Sequence, residues 1–208
     1  MSQTRELPPI GDHGPIESLL RERRSTKRFT DRSLSLADAG AALWAVAGTT
    51  VEGHRVSPSA RATYPVTATL IAGNVEQLAM GAYRYEAADH AVTTAQRGDH
   101  RHTVAGATID GADWLPTCPA LVALSADLVG ARERFPDQPP EHGERFVWIE
   151  VGHAAQNLYL WAAARGIGTA LIAGLDDGRA WELCEPVLPP RHRLLGVLPL
   201  GEPAAPAS

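Results

Sequence analysis

The chain has 208 residues, 44% hydrophobic and 21% charged, with a formal net charge of −5; that length suits one domain with a sizeable core. The acidic balance argues against binding nucleic acid or anionic membranes through bulk charge. Cys118 and Cys184 have neither metal-ligand spacing nor the density of a disulfide scaffold, no apolar h-region follows the start Met1-Ser2-Gln3-Thr4-Arg5, and no apolar run is long enough to span a bilayer. A reducing cytoplasm is therefore the expected location.

Residues 1–13, punctuated by Pro8, Pro9 and Gly11, read as a flexible arm. Pro15 suits the first position of a helix whose apolar positions Ile16, Leu19 and Leu20 run into a basic cluster. Six of the nineteen basic residues lie between Arg21 and Arg32, and Lys27 is the single lysine of the chain. Cations suit the end of a helix. Paired guanidinium donors, a mobile ammonium and the Ser25 hydroxyl could also converge on one phosphate. A solvated helix end and an anion site both remain open from the residues alone. Ser35-Leu36-Ala37-Asp38 predicts a capped helix that ends near Gly48, and Thr49 to Val56 reads as a loop.

Ser57 before Pro58 predicts a single helical turn capped by Ser57 and ended by Pro65. The small residues Ser59, Ala60 and Ala62 would leave its backbone open to a ligand; a plain connecting turn is the alternative. Val66 to Ala72 and Pro119 to Ala126 read as buried strands, and residues 81–85 pair with 91–94 as a hairpin. A weak helix is predicted from Asp99 to about Thr108. Residues 132–143, rich in proline and charge, read as a mobile loop near a site entrance. The longest helix is predicted from about His142 to Ala164, with Phe146, Ile149, Ala154, Leu158 and Trp161 on one stripe widened by Val151, Ala155, Tyr159 and Ala162. Apolar on so much of its surface, it suits a subunit interface. A strand at 170–173, a helix capped by an aspartate before Trp181, and a last strand from Arg193 to Leu200 complete the reading.

Four segments resemble, in order, the FMN-dependent nitroreductase family. They are Arg23-Arg24-Ser25-Thr26-Lys27-Arg28-Phe29; Pro58-Ser59-Ala60-Arg61-Ala62-Thr63-Tyr64-Pro65; Glu150-Val151-Gly152-His153-Ala154-Ala155-Gln156-Asn157-Leu158; and the strand and glycine at Ala173-Gly174. The second, with Gly81-Ala82-Tyr83-Arg84-Tyr85, resembles the SagB-type branch, although Arg61 stands where that branch usually has glycine. The resemblance implies an α+β fold with a mixed, mainly antiparallel sheet flanked by helices. It implies an FMN-binding domain over residues 14–203 and an intertwined homodimer, while the Pro/Ala-rich composition of residues 204–208 reads as a disordered tail. It assigns Arg23, Arg24 and Ser25 to the FMN phosphate side and Lys27 to the ribityl chain or the N1–O2 edge. The backbone at Ala173 and Gly174 would face flavin N5. Pro58, Ser59, Ala60 and Ala62 would reach the FMN of the partner subunit.

The implied activity is two-electron hydride transfer on a small organic substrate, as in an NAD(P)H-dependent nitro or quinone reductase. A SagB-like oxidase of a peptide- or amino-acid-derived substrate, and a flavin-binding protein without turnover, are alternatives. Relatives in the family carry phosphate-binding cations near the C-terminus, whereas this chain has none after Arg193. Arg61 or Arg193 would have to substitute. His153 reads as structural or acid/base, Gln156 and Asn157 as satisfying buried backbone, Glu150 as paired or functional, and Trp148 as core or pocket wall. His100 and His102 lack the company of a metal site, so no metal is expected.

Overall fold

The computed structural model describes residues 4–9, 11, 14–109 and 112–205. Residues 1–3, 10, 12 and 13 of the expected arm thus lie outside the described residues, and residues 4–9 carry no regular structure. Five strands form one sheet: β1 (Thr67–Ala72), β2 (Gly81–Glu86), β3 (Ala91–Arg97), β4 (Ala120–Ala126) and β5 (Arg193–Leu200), in the order β3-β2-β1-β4-β5. All four neighbouring pairs are antiparallel. Among the described residues the one parallel contact is the isolated Leu34–Val75 bridge.

The central strands are buried on both faces, which is why they read as continuous apolar runs. Leu70, Val122 and Leu124 face one core cluster with α2 (Leu36–Ala47) and α5 (Pro140–Arg165); Ile71, Leu121 and Ala123 face the other with α3 (Arg101–Gly106) and α6 (Asp177–Cys184). This two-residue alternation sorts a single strand sequence into two cores. Both cysteines are buried in the second, and burial pushes the Cys118 thiol up to about 12 and that of Cys184 up to about 11.

Local rules set most boundaries. Ser35 accepts the Asp38 N–H at 3.0 Å and donates to the Asp38 carboxylate at 2.7 Å, starting α2. Gly166, at φ 66°, ends α5 in the left-handed conformation. Asp176 accepts the Arg179 N–H at 3.0 Å and starts α6.

Three expectations fail for tertiary reasons. Residues 170–173 form no strand. Ile172 exchanges both backbone hydrogen bonds with Val197 at 2.9 Å, but the Leu171 N–H is diverted to the Tyr159 hydroxyl at 2.8 Å, so the ladder stops at one bridge. The turn after Ser57 is a 3-10 turn at Ala60–Ala62, flanked by Ser59 rather than capped by Ser57. The Ser57 hydroxyl is already spent, donating to the Val46 carbonyl at 2.8 Å and accepting from Asn157 at 3.1 Å. The expected 132–143 loop shrinks to residues 134–139: α4 (Leu128–Glu133) is capped by Asp127, α5 begins at Pro140, and buried Phe135 between them packs edge-on to Phe146 at 4.9 Å.

Candidate active site

The first group of predicted residues gathers where α1 (Pro15–Glu22) meets the C-terminal half of α5. The segment after α1 is stitched down by Thr26 N–H donating to Thr169 O at 2.8 Å and Thr30 N–H donating to Glu202 O at 3.0 Å. Gly168 allows this: a Cβ there would meet the Thr26 side chain at 2.6 Å and Phe29 at 3.1 Å. Arg23 lies over the Tyr159 ring at 5.3 Å, and Ser25 Oγ sits 3.1 Å from Tyr159 Oη. Arg24 folds back onto the carbonyls of Arg21 and Arg23, satisfying the end of α1. Arg24, Thr26, Tyr159 and Thr169 line a cavity of about 280 Å³, and Thr169 Oγ1 is buried there without a hydrogen-bond partner.

Lys27 lines a neighbouring cavity of about 280 Å³ with Trp114, Leu171, Ile172, Ala173 and Gly174. Its ammonium is exposed and has no ion pair or hydrogen bond among the described residues. The N–H groups of exposed Ala173 and Gly174 are also undonated, whereas Leu171, Ile172, Leu175 and Asp176 all donate theirs. A Cβ added at Gly174 would meet nothing within 4 Å, so the backbone there borders open space. A cation and two free donors suit a ring system that gains negative charge, and the Arg23–Ser25 corner suits a phosphate. The donor set therefore fits FMN.

Pro58, Ser59, Ala60 and Ala62 lie elsewhere, against the middle of α5. Three residues of that helix at i, i+3 and i+7 hold the turn. Glu150 accepts the Val66 N–H at 3.2 Å, His153 Nδ1 lies 3.2 Å from the Pro58 carbonyl, and Asn157 donates to Ser57 at 3.1 Å. Burial pushes the Glu150 carboxyl above its ordinary value, against hydrogen bonds from Ser59 and the Val66 N–H. Arg61, Ala62 and Tyr64 take left-handed backbone angles, φ 50°, 52° and 46°. Arg61 is pinned to Asp137 by bonds of 3.0 and 2.6 Å and lies 5.4 Å over Phe135, while Arg134 donates to Thr63 O at 3.1 Å.

Neither the Arg24 cavity nor the Lys27 cavity includes a residue of the 58–62 turn. Neither Arg61 nor Arg193 lines the Arg24 cavity. Arg193 instead lies 4.1 Å over Trp181 at a cavity of about 370 Å³ that also includes Trp148 and Ala173. Tyr159 and Thr169 were not singled out as site residues. The i, i+3, i+7 spacing of Glu150, His153 and Asn157 was the available signal for their shared task. Among the described residues no group of three or more His, Cys, Asp or Glu side chains could hold a metal, and no helix is long and apolar enough to cross a membrane.

The model of the nitroreductase family matches residues 20–202. The chain belongs to the nitroreductase family. It is accordingly an oxidoreductase, of a family that works with flavin. A protein of Methanocaldococcus jannaschii, provisionally described as a nitroreductase, is 29% identical over 179 residues, 86% of this chain and 87% of that one. A chain of the Escherichia coli microcin synthetase complex, solved with truncated pro-MccB17 bound, superposes with a TM-score of 0.74 at 20% identity over 97% of this chain and 76% of that one. A nitroreductase-like protein from Desulfovibrio desulfuricans, solved in complex with FMN, gives a TM-score of 0.63 at 19% identity over 94% and 90%. For this nitroreductase-family chain the two structural likenesses establish the fold.

Proposed function

We propose that this protein is a cytoplasmic homodimer that binds FMN between its subunits and carries out two-electron reduction of a small nitroaromatic or quinone with NAD(P)H. Bound flavin supplies reversible hydride exchange at its ring system. The chain supplies position and charge. Arg23 and Ser25, both held by Tyr159, would receive the phosphate with Arg24, and Lys27 would stand by the ring edge that becomes negative. The free N–H groups of Ala173 and Gly174 would donate to the ring from the side. The observation that carries this reading is that pair of open donors beside a cation without a partner, in a chain of this family.

No residue of the 58–62 turn lines the Lys27 cavity, so the turn would serve the partner's site. Ile149 supports a second subunit: it lies on α5 and is 48% exposed in the single chain. A second reading, oxidation of a peptide- or amino-acid-derived substrate, draws on the Pro58–Pro65 and Gly81–Tyr85 resemblances and on the likeness to the microcin synthetase chain. Anaerobic mixing of the FMN-loaded protein with NADPH or NADH tests the choice. Bleaching of the visible flavin band is expected. A band that persists with both donors, yet bleaches with an oxidisable peptide, would replace the first reading by the second. Persistence with every donor would leave a flavin carrier.

A further inference from the structure

The cavity of about 370 Å³ between α4, α5, α6 and the start of β5 is not used by any residue assigned to FMN except Ala173, which it shares with the Lys27 cavity. Its walls hold two large aromatics that a single domain would ordinarily cover: Trp148 is 44% exposed and Trp181 38%. Leu128, Leu175 and Leu195 complete an apolar surface suited to a flat ring. The volume matches a ligand of one or two rings at the small end of ordinary ligand pockets.

The charges at this cavity are mostly arginine, and they differ in availability. Arg132 is engaged by Glu144 at 2.7 Å, and Arg191 by Asp127 at 3.2 Å. Arg193 has no carboxylate partner among the described residues. Its guanidinium instead lies 4.1 Å over the Trp181 ring. Held over an indole face, a guanidinium keeps its edge donors free in a planar fork, and that fork matches a carboxylate. Two opposing charges stand in the lining: Glu144, engaged with Arg132, and Asp177 at the first turn of α6. The backbone position of Asp177 fixes it at the helix start, where it offsets the helix dipole.

We propose that this cavity is the substrate pocket and that it selects planar aromatic or conjugated anions, carboxylates above all, with Trp148 and Trp181 as the ring walls and Arg193 as the fork that reads the charge. This rests on the flavin reading for the reaction, through the shared Ala173, and not for the binding. A substrate seated here reaches the wall of the flavin cavity by its ring, while its carboxylate is held at Arg193. The pocket thus gives the enzyme a preference within its class that neither the FMN corner nor the 58–62 turn supplies.

The test is calorimetric titration of the purified full-length protein, as isolated and FMN-loaded, with 4-nitrobenzoate and its neutral isostere 4-nitrobenzamide. The wild type is expected to bind the benzoate about tenfold more tightly, the size of one charge-assisted bidentate contact. Arg193→Gln should bring the ratio to about 1, and Arg193→Lys should keep part of it. Trp148→Ala should weaken both compounds together, and this covers the case in which the Arg193 variants fail to fold. Equal binding of the two compounds by the wild type, a ratio that survives Arg193→Gln, or undiminished binding in Trp148→Ala overturns the proposal. A charge preference in a protein that never retains flavin would uphold the pocket and sink the FMN reading. A yellow, reducible protein without the preference would do the reverse.

Discussion

At the residue scale, Tyr159 ties the candidate site together. Its hydroxyl accepts from Leu171 N–H, contacts Ser25, and its ring carries Arg23. Tyr159→Phe should cost about 1–2 kcal/mol of stability in urea titration, because it leaves the Leu171 N–H without its partner. It should also weaken FMN retention by loosening Ser25. Lys27→Ala should cut FMN affinity about tenfold, in keeping with one charge-assisted contact, without lowering the melting temperature, since that ammonium supports nothing in the fold. Glu150 gives a pH prediction. Its carboxyl is raised by burial, so the native state holds that proton more tightly than the unfolded chain does. Stability from this group is therefore present at low pH and lost as pH rises through the native value. Glu150→Gln keeps an oxygen for the Val66 N–H, and should melt about 2 °C higher than wild type at pH 7 and equal to it near pH 4, by thermal denaturation. The basic cluster was legible at this scale because six cations in twelve residues are a composition signal. The work of Glu150, His153 and Asn157 was not, because their partners lie 84, 95 and 100 residues upstream.

At the element scale, boundaries set by neighbours in the chain were readable, and those set by distant groups were not. Ser35, Gly166 and Asp176 start or stop helices through bonds within five residues, and sequence rules describe such bonds. The lost strand at 170–173 and the displaced 3-10 turn both follow from side chains of α5 taking backbone or hydroxyl groups that local rules would have used. The 58–64 turn also shows one element correcting another. Arg61 stands in a left-handed conformation that favours glycine, and the α4–α5 connection holds it there through Asp137, Phe135 and Arg134. Arg61→Ala removes the tether and keeps the strain, whereas Arg61→Gly removes both. Melting curves should rank wild type and Arg61→Gly above Asp137→Ala, with Arg61→Ala lowest. A Gly variant as unstable as the Ala variant would show that the backbone angle is not the constraint.

At the scale of the whole molecule, the family resemblance pointed to an α+β architecture, and hydrophobic periodicity pointed to a helix too apolar for a monomer's surface. The sheet is antiparallel throughout its four pairings, a feature no local pattern specifies. The single chain presents two incomplete groups of site residues: a basic corner with open donors at Ala173–Gly174, and a strained turn of small residues on α5. On the proposed function, a cofactor held by both groups draws on two chains. Sedimentation velocity of the FMN-loaded protein, followed at once by protein and by flavin absorbance, is the most direct test. One flavin per chain should move with a species of twice the chain mass, and dissociating the subunits should release the colour. Flavin travelling with single chains, or a dimer that stays colourless in excess FMN, would contradict the account.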